Sequence, residues 1–593
     1  MPTAINVNKQ TVEEFLATGK SKPFIIPEYQ RPYSWTDEQV ETLFRDLWDF
    51  TCSEGGTERD GTYFLGSIVS YENENGEQEI IDGQQRITSL FLLLRAIYTR
   101  LSEADIKTEE ASNFINKIQP AIWRTNKLTG KVDYSSILLN SKVISYNENT
   151  VLKKILETGS IEESSQDNYS KNYEKFLSLF KEYSSENPLM IYQFIYALLS
   201  QVIVLPITAD TQDTALTIFS TLNDRGLPLS DADIFKAKIY NYLNKKDKKI
   251  FIEKWKEIEE ETLRVSENIQ QIFYYYMFYL RALEKDKSST TPGIRKYYSR
   301  DKFKKLFDPN ILDNIRKIIN LWEVIYNHNE IEEKWSSNKN IIKILDILTS
   351  YPNEFWKYPV IIYYLSHKDE KDFEENFLIF LRKLFIELFT KYLEIPTINA
   401  VKGDILKLNT EIINNNKPKF EFKPFSEEKV IEKIKSPHRN VVRMILKVLA
   451  YTKQDELLPE KWEIEHILPV KWDNDYFLSA DIETIKEKIE HIGNKIPFEK
   501  RLNIIASNNY FSKKKEIYSK SNILITKEIS NLHLKTWNID NIIERDVEIS
   551  NTIINIIKKW NNDYIKSNKN FTETSPSDEV LKNIEYYKSK GWL

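Results

Sequence analysis

Apolar positions recur along the chain with two periods, and each predicts a different kind of element. Over residues 38–50, Val40, Leu43, Phe44 and Leu47 fall on one face of a helix. Short apolar-rich runs at 23–26, 63–71, 77–81 and 202–207 predict strands, the last stopped by Pro206 and Asp210. The first 100 residues therefore read as mixed α/β. The clearest unit begins at the third run. That strand ends in Asp82-Gly83, and from Gln84 onward Ile87, Leu90, Phe91, Leu94, Ile97, Tyr98 and Leu101 recur at three- and four-residue spacing. Strand, tight turn and buried helix set backbone N–H groups at a helix start, a place that attracts anions. Residues 105–200 predict helices joined by polar loops. A helix over 213–222, the turn Asn223-Asp224-Arg225-Gly226 and a helix capped by Ser230 follow. From about 245 to 450 the pattern is helical throughout, and stripes such as Ile272, Tyr275, Tyr276 and Phe278 predict core packing. The polar segment 414–425 carries Pro418 and Pro424 and predicts a loop near a domain boundary.

Composition narrows the function classes. At about 150 residues per domain, 593 residues give roughly four units, or two or three larger ones. Aromatics at 13% exclude wholesale disorder, because they can fill large cores. Only 14 glycines argue against Gly-rich nucleotide cradles. Gly19-Lys20-Ser21 imitates the end of a phosphate-binding loop, but Glu14 stands where that loop needs glycine. Cys52 is the single cysteine, so no intrachain disulfide and no Cys-based zinc site can form, and a reducing, cytoplasmic setting is expected. With 83 basic against 88 acidic residues, no overall basic coat exists, and nucleic-acid contact would need a local patch. No apolar run reaches the roughly 18 residues of a membrane span, and no secretory signal is visible at the start, so no membrane partner is expected.

Three clusters could carry chemistry in the N-terminal part. In Asp82-Gly83-Gln84-Gln85-Arg86, Gly83 permits a sharp turn, Asp82 can hold a metal or orient water, and Arg86 can pair with a phosphate. On residues alone, a helix cap with a surface arginine is an equally good account. Pro27-Glu28-Tyr29-Gln30-Arg31-Pro32-Tyr33-Ser34-Trp35 is held extended by its prolines, and Arg31 with the flanking aromatics could meet a phosphate and a base. A proline-stiffened loop with inward aromatics is the plainer reading. Asn223 and Arg225 form the third cluster, which ordinary turn chemistry also explains.

The sharpest signal is C-terminal. Trp462-Glu463-Ile464-Glu465-His466-Ile467-Leu468-Pro469 predicts a short strand ending in histidine and proline. His491-Ile492-Gly493-Asn494 follows, Asn503 lies nine residues after Asn494, and then comes Lys513-Lys514-Lys515. A carboxylate beside a histidine can hold a divalent ion while the imidazole takes a proton from water. A later asparagine adds a neutral oxygen, which suits a Mg²⁺-type ion acting on a phosphodiester. Seven basic residues against two acidic ones between Lys495 and Lys520 suit a phosphate backbone. The other histidines offer less: His328 and His367 sit in polar stretches and read as surface residues, His438 follows Pro437 at a helix start, and His533 lies in a polar segment.

Two resemblances follow from these residues. The first 240 residues resemble the nucleotide-hydrolysing domain of the GmrSD family of modification-dependent (type IV) restriction enzymes. The matching blocks are Ile26 to Trp35, Tyr63 to Ile68, Ile81 to Thr88, and Phe219 through Asn223-Asp224-Arg225-Gly226 to Lys236. The last 150 residues resemble the HNH (His-Me finger) nuclease domain that partners it, through Glu465-His466-Ile467-Leu468-Pro469, Gly493-Asn494 and Asn503. The family usually continues Gly-Asn-Leu-Thr-Leu-Leu, where this chain has Gly493-Asn494-Lys495-Ile496-Pro497-Phe498. The resemblance implies an α+β, predominantly helical chain. A ParB/sulfiredoxin-like α/β core would occupy 1–240, a helical domain 241–435 and a ββα-metal nuclease 436–593. It implies an anti-phage DNA endonuclease that is NTP-regulated and metal-dependent, with associated NTPase activity. The target would be modified DNA, such as glucosylated hydroxymethylcytosine or phosphorothioate-marked DNA. His466 would be the general base, Glu465 and Asn503 would ligate Mg or Mn, and Asn494 would brace the loop. Gln30, Arg31, Asp82, Gly83, Gln84, Gln85, Arg86, Asn223 and Arg225 would bind a nucleoside triphosphate, with the choice among GTP, UTP, CTP and ATP open. Lys513, Lys514 and Lys515 would contact DNA, and a homodimer is left open. A different class also fits, a nucleotide-sensing DNA-binding protein with an inactive nuclease domain. So does an N-terminal domain that binds DNA in the ParB manner and hydrolyses nothing.

Overall fold

The computed structural model describes residues 5–53, 61–104, 108–126, 128–143, 148–162, 166–212, 214–216, 218, 230–471, 482–569 and 578–591. The chain is α+β and 65% helical with a small mixed sheet. It divides into two compact units, residues 1–255 and 256–593.

The first unit is built on a seven-stranded sheet. Its strands are β1 (Ile5–Val7), β2 (Gln10–Thr11), β3 (Phe24–Ile26), β4 (Tyr63–Glu72), β5 (Gln78–Asp82), β8 (Leu139–Ser141) and β9 (Val202–Ala209). They run in the order β1-β9-β4-β5-β3-β8, with β2 also on β9. β6 (Trp123–Thr125) and β7 (Val132–Ile137) form a separate antiparallel pair. β6, β7 and β8 lie where helices and loops were expected. Their residues are too few and too polar to alternate visibly, as in Arg124-Thr125 and Ser135-Ser136. β9 also runs past Pro206 to Ala209. β2 pairs with residues 203–204 and β1 with 207–209, so the proline falls in the gap between them on that edge.

The helix Gln84–Glu103 is buried along most of its length. Leu92, Leu93 and Ala96 are covered along with the predicted face. It packs against the helices Glu109–Ile122 and Asn168–Glu186 in the main core of the unit. Full burial of each such leucine is worth about 1.5–3 kcal/mol. That anchorage fixes the turn at the helix start, where Asp82 stands opposite Val69 and the β4–β5 ladder is bulged between Val69 and Ser70.

The second unit is helical up to residue 453. Its aromatic stripe is core, as expected: Ile272, Tyr275, Tyr276 and Phe278 are all buried. His367 is buried too, contrary to its expected surface position. Its Nδ1 lies 2.7 Å from Glu370 and its Nε2 2.7 Å from the Ile412 carbonyl, so two partners satisfy a ring that the polar local sequence had placed outside. His328 is exposed and ends the helix Ile311–Asn327 in a left-handed conformation.

The C-terminal part of this unit contains a strand–strand–helix finger. β10 (Trp462–His466) pairs antiparallel with β11 (Lys495–Glu499), and the helix Lys500–Ala506 follows directly. Ile467, Leu468, Ile496, Phe498 and Ala506 form its small core with Phe511, Tyr518, Trp537 and Ile542. A 31-residue helix, Ile539–Lys569, runs past the finger. It packs against the helices Phe373–Glu394, Glu427–Lys435 and Val442–Lys453.

Candidate functional site

In the first unit, side-chain amides bring two sequence clusters together across about fifty residues. Gln30 Nε2 donates to the Ile81 carbonyl at 3.1 Å. Gln85 Oε1 accepts from the N–H groups of Ser34 at 2.8 Å and Trp35 at 3.3 Å, and Gln85 Nε2 donates to the Pro32 carbonyl at 3.2 Å. The 27–35 segment is thus tied to the start of the helix Gln84–Glu103. Gln30 and Gln85 act here as struts, and Gln84 is buried.

Between the struts lies the charged group. Gly83 caps the helix at φ 86°, ψ 9°, a left-handed geometry suited to glycine, and a Cβ there would lie 2.9 Å from Ile68 Cγ1. The first helical turn carries no acidic residue. Burial pushes the Asp82 carboxyl above the ordinary carboxylate range, against the pull of Arg86, the Gly83 N–H and Arg31. Arg86 Nη1 donates to the Ser67 carbonyl at 2.5 Å, passing so close to Gly66 that a Cβ there would stand 2.7 Å from it. Gln30 Oε1 and Arg31 Nε are buried without a hydrogen-bond partner. An acceptor and a donor therefore stay unanswered near Asp82. Asn223 and Arg225 lie outside the described residues.

In the finger, Asn494 is fully buried and braces the turn. Its Oδ1 accepts from Leu468 N–H at 2.7 Å, and its Nδ2 donates to the carbonyls of Leu468 at 2.9 Å and Ile489 at 3.0 Å. The end of β10 is thereby fixed against the start of β11, with His466 opposite Lys495. The His466 side chain keeps 23% exposure, while its Nε2 is covered and stands 3.6 Å from Glu490 Oε1. Burial first, then Lys495, hold the imidazole below its ordinary value against Glu490, which favours the neutral ring. A neutral ring is the form that can accept a proton.

The expected metal ligands diverge. Glu465 and His466 are neighbours on a strand, and neighbours point to opposite faces. Glu465 Oε1 accepts from Lys514 Nζ at 2.7 Å and from Tyr518 OH at 2.8 Å, inside the finger. Asn503 Nδ2 instead donates to Glu463 Oε2 at 3.0 Å. Glu463 was not singled out from sequence. It shares a strand face with Glu465 two residues on, is partly exposed, and also stands 3.6 Å from Lys500. Lys514 also departs from its expected place on a DNA surface. It is 1% exposed, pairs with Glu465 and donates to the His466 carbonyl at 2.7 Å. Only Lys513 of the three lysines is exposed, and Lys515 donates to the carbonyls of Leu532 and Leu534. One helix cannot turn three consecutive residues the same way. Among the described residues, no group of three or more His, Cys, Asp or Glu gathers as metal ligands would.

Two further residues shape the finger. Asp546, on the long helix, accepts from Gly493 N–H at 2.7 Å and meets His491 Nδ1 at 2.6 Å. Arg545 Nη1 donates to the carbonyls of Gly493 at 2.7 Å and Lys495 at 2.9 Å. The sequence pattern hid both, because they lie some fifty residues beyond the turn they grip.

A sequence profile of the GmrSD restriction endonuclease N-terminal domain matches residues 12–240, and one of the GmrSD C-terminal domain matches residues 420–552. The chain belongs to the GmrSD restriction endonuclease family. As a GmrSD protein it is a DNA endonuclease. Both site-bearing segments, the Asp82 turn and the His466 finger, fall inside the matched stretches. An uncharacterized protein of Methanocaldococcus jannaschii is 23% identical over 483 residues, covering 74% of this GmrSD chain and 76% of the relative. Among the described residues, no helix is long and apolar enough to cross a membrane.

Proposed function

We propose that this GmrSD chain hydrolyses DNA phosphodiesters at the finger of β10, β11 and the helix Lys500–Ala506, under the control of a nucleoside triphosphate bound at the Asp82 turn. The observation that carries the reading is the finger itself. His466 ends one strand, Asn494 pins the turn behind it, and Asn503 sits on the helix that follows. In this role His466 takes a proton from the attacking water. Asn494 holds the strand ends so that the imidazole cannot drift. A Mg²⁺-type ion would supply charge neutralisation at the phosphate. Of the residues present, the Asn503 amide oxygen is the donor left open to it, since Glu465 already carries Lys514 and Tyr518 and Glu463 lies on that same strand face. An ion that keeps several waters needs few protein oxygens.

At the other site, the triphosphate would meet the left-handed Gly83 cap and the guanidinium groups of Arg31 and Arg86. Asp82 would orient water or a cation there. The proposed target is modified phage DNA, a choice that rests on family likeness. A second reading, a nucleotide-sensing DNA-binding protein with an inactive nuclease, draws support from the covered Nε2 of His466. One panel decides between them: modified phage DNA against unmodified DNA, crossed with four NTPs and with EDTA. Cleavage that needs metal and vanishes in His466→Ala is expected. Equal cutting by His466→Ala would remove the assignment, and binding without scission under every condition would favour the second reading.

A further inference from the structure

The helix Lys500–Ala506 shows an apolar face to water. Leu502 packs against the finger core and Ala506 is fully buried within it, as the helical period requires. Ile504 and Ile505 do the opposite, at 68% and 53% exposure, and Tyr510, just beyond the helix, is 49% exposed. Scattered surface apolar residues are ordinary. Two adjacent β-branched residues on a seven-residue helix, followed closely by an exposed tyrosine, are a concentration.

The surroundings select the partner. The other outward positions of this helix are Lys500, Arg501 and Asn503, and the helix contains no carboxylate. Lys500 stands 3.6 Å from Glu463, and exposed Lys513 adds a cation on the next helix, Phe511–Tyr518, which packs against this one. Between the two helices, Ser507 holds φ 45° and ψ −146°, a region that residues other than glycine rarely adopt. The strained turn brings Tyr510 round to begin the next helix. A protein partner would have to cover Lys500 beside an apolar contact, where lysine is depleted. A nucleic-acid duplex offers phosphates to those cations and an apolar base stack between them.

We propose that Ile504 and Ile505 form an apolar wedge that enters a DNA groove and partly unstacks one base step beside the phosphate presented to Asn503, while Lys500 and Arg501 grip the flanking phosphates. This rests on the reading of the finger as the DNA-cutting site. The wedge makes site choice depend on how readily a step opens, so flexible pyrimidine–purine steps are favoured over stiff A-tracts.

The test uses the full-length chain carrying His466→Ala, to keep DNA whole, and duplexes with 2-aminopurine at successive positions. Binding should raise the fluorescence of the probe at a pyrimidine–purine step. Ile504→Ser/Ile505→Ser should abolish the rise and weaken binding about tenfold, with an unchanged circular dichroism melt. Lys500→Ala/Arg501→Ala should lower the salt dependence by about two phosphate contacts and leave the rise in place for the bound fraction. Binding with no rise at any position, or an equal rise in the isoleucine variant, overturns the wedge. So does an isoleucine variant that loses self-association by light scattering but keeps the fluorescence response, since the face would then join two copies. A rise without cleavage by the parent chain under any condition supports the wedge and removes the endonuclease reading alone.

Discussion

Gly493→Ala isolates what holds the finger in shape. Gly493 has an ordinary backbone conformation, so it is needed for space and not for an unusual φ. A Cβ at this position would stand 2.1 Å from the Ile542 carbonyl oxygen, 2.8 Å from Asp546 Oδ1 and 3.0 Å from Asp546 N. The turn and the helix Ile539–Lys569 would have to separate by about 1 Å or more to reach ordinary contact. That movement stretches four contacts: His491 to Asp546 at 2.6 Å, Gly493 N–H to Asp546 at 2.7 Å, and Arg545 to the carbonyls of Gly493 at 2.7 Å and Lys495 at 2.9 Å. Hydrogen bonds to charged groups are worth about 1.5–3 kcal/mol each, and overpacking costs another 1–3. Partial relaxation leaves an expected loss of roughly 3–5 kcal/mol, about two to nearly four powers of ten in the opening of the finger. Gly403→Ala is the matched control. Nothing lies within 4 Å of its Cβ position in the helix Lys402–Asn414, so it should be neutral or stabilising by up to about 1 kcal/mol. Hydrogen exchange read on peptides across 489–500 reports the local opening without assuming two-state unfolding of the whole chain. Cleavage should fall with it, because Asn494 is the next residue. Wild-type exchange and cleavage in Gly493→Ala would refute the clamp.

Three other outcomes follow from the same geometry. In metal-free protein, the His466 imidazole should titrate below its ordinary 6.5, as read by NMR. Its neutral form stabilises the fold above the unfolded value, and that contribution is lost as pH falls. Lys495→Met should raise the midpoint and Glu490→Gln lower it, and a midpoint above 6.5 would contradict the placement. Lys514→Met should cost about 3–5 kcal/mol by stranding the Glu465 charge, whereas Lys514→Met with Glu465→Gln should recover most of it in urea unfolding. Purely additive losses would show that the pair is not coupled. Gln85→Leu should loosen the 32–35 segment by about 2–3 kcal/mol, since it removes bonds to three backbone groups, and faster exchange of the Ser34 and Trp35 amides is the readout.

Much of this was legible along the chain. The strand–turn–helix at Asp82 and the buried periodicity after it were plain because one long helix repeats its signal many times. The expected strand ending at His466 was also found, because an apolar run stopped by Pro469 has few other accounts. Direction was harder to read. Residue type gave Lys513, Lys514 and Lys515 one role, and helical geometry gave them three different environments. Glu465 looked like a ligand because it adjoins His466, yet strand alternation turns adjacent residues apart. His367 looked exposed because its neighbours are polar, and the partner that buries it, the Ile412 carbonyl, lies 45 residues away. The Arg545–Asp546 clamp had no local signature at all.

The two candidate sites share a way of being built. Gln30, Gln85 and Asn494 each spend a neutral amide on main-chain groups of a distant segment. An amide offers both a donor and an acceptor, so Gln85 and Asn494 each answer a backbone N–H and a backbone C=O at once. A charged side chain in the same place would have to be desolvated and would shift every titrating group nearby. Neutral struts therefore fix the loops while leaving the local field to Arg31, Asp82 and Arg86 in one unit and to Lys495, Glu490 and His466 in the other. The Arg545–Asp546 clamp departs from this rule, and it does so from behind the turn. There, Asp546 is matched by His491 and the backbone of Gly493, so its charge is answered before it reaches the imidazole.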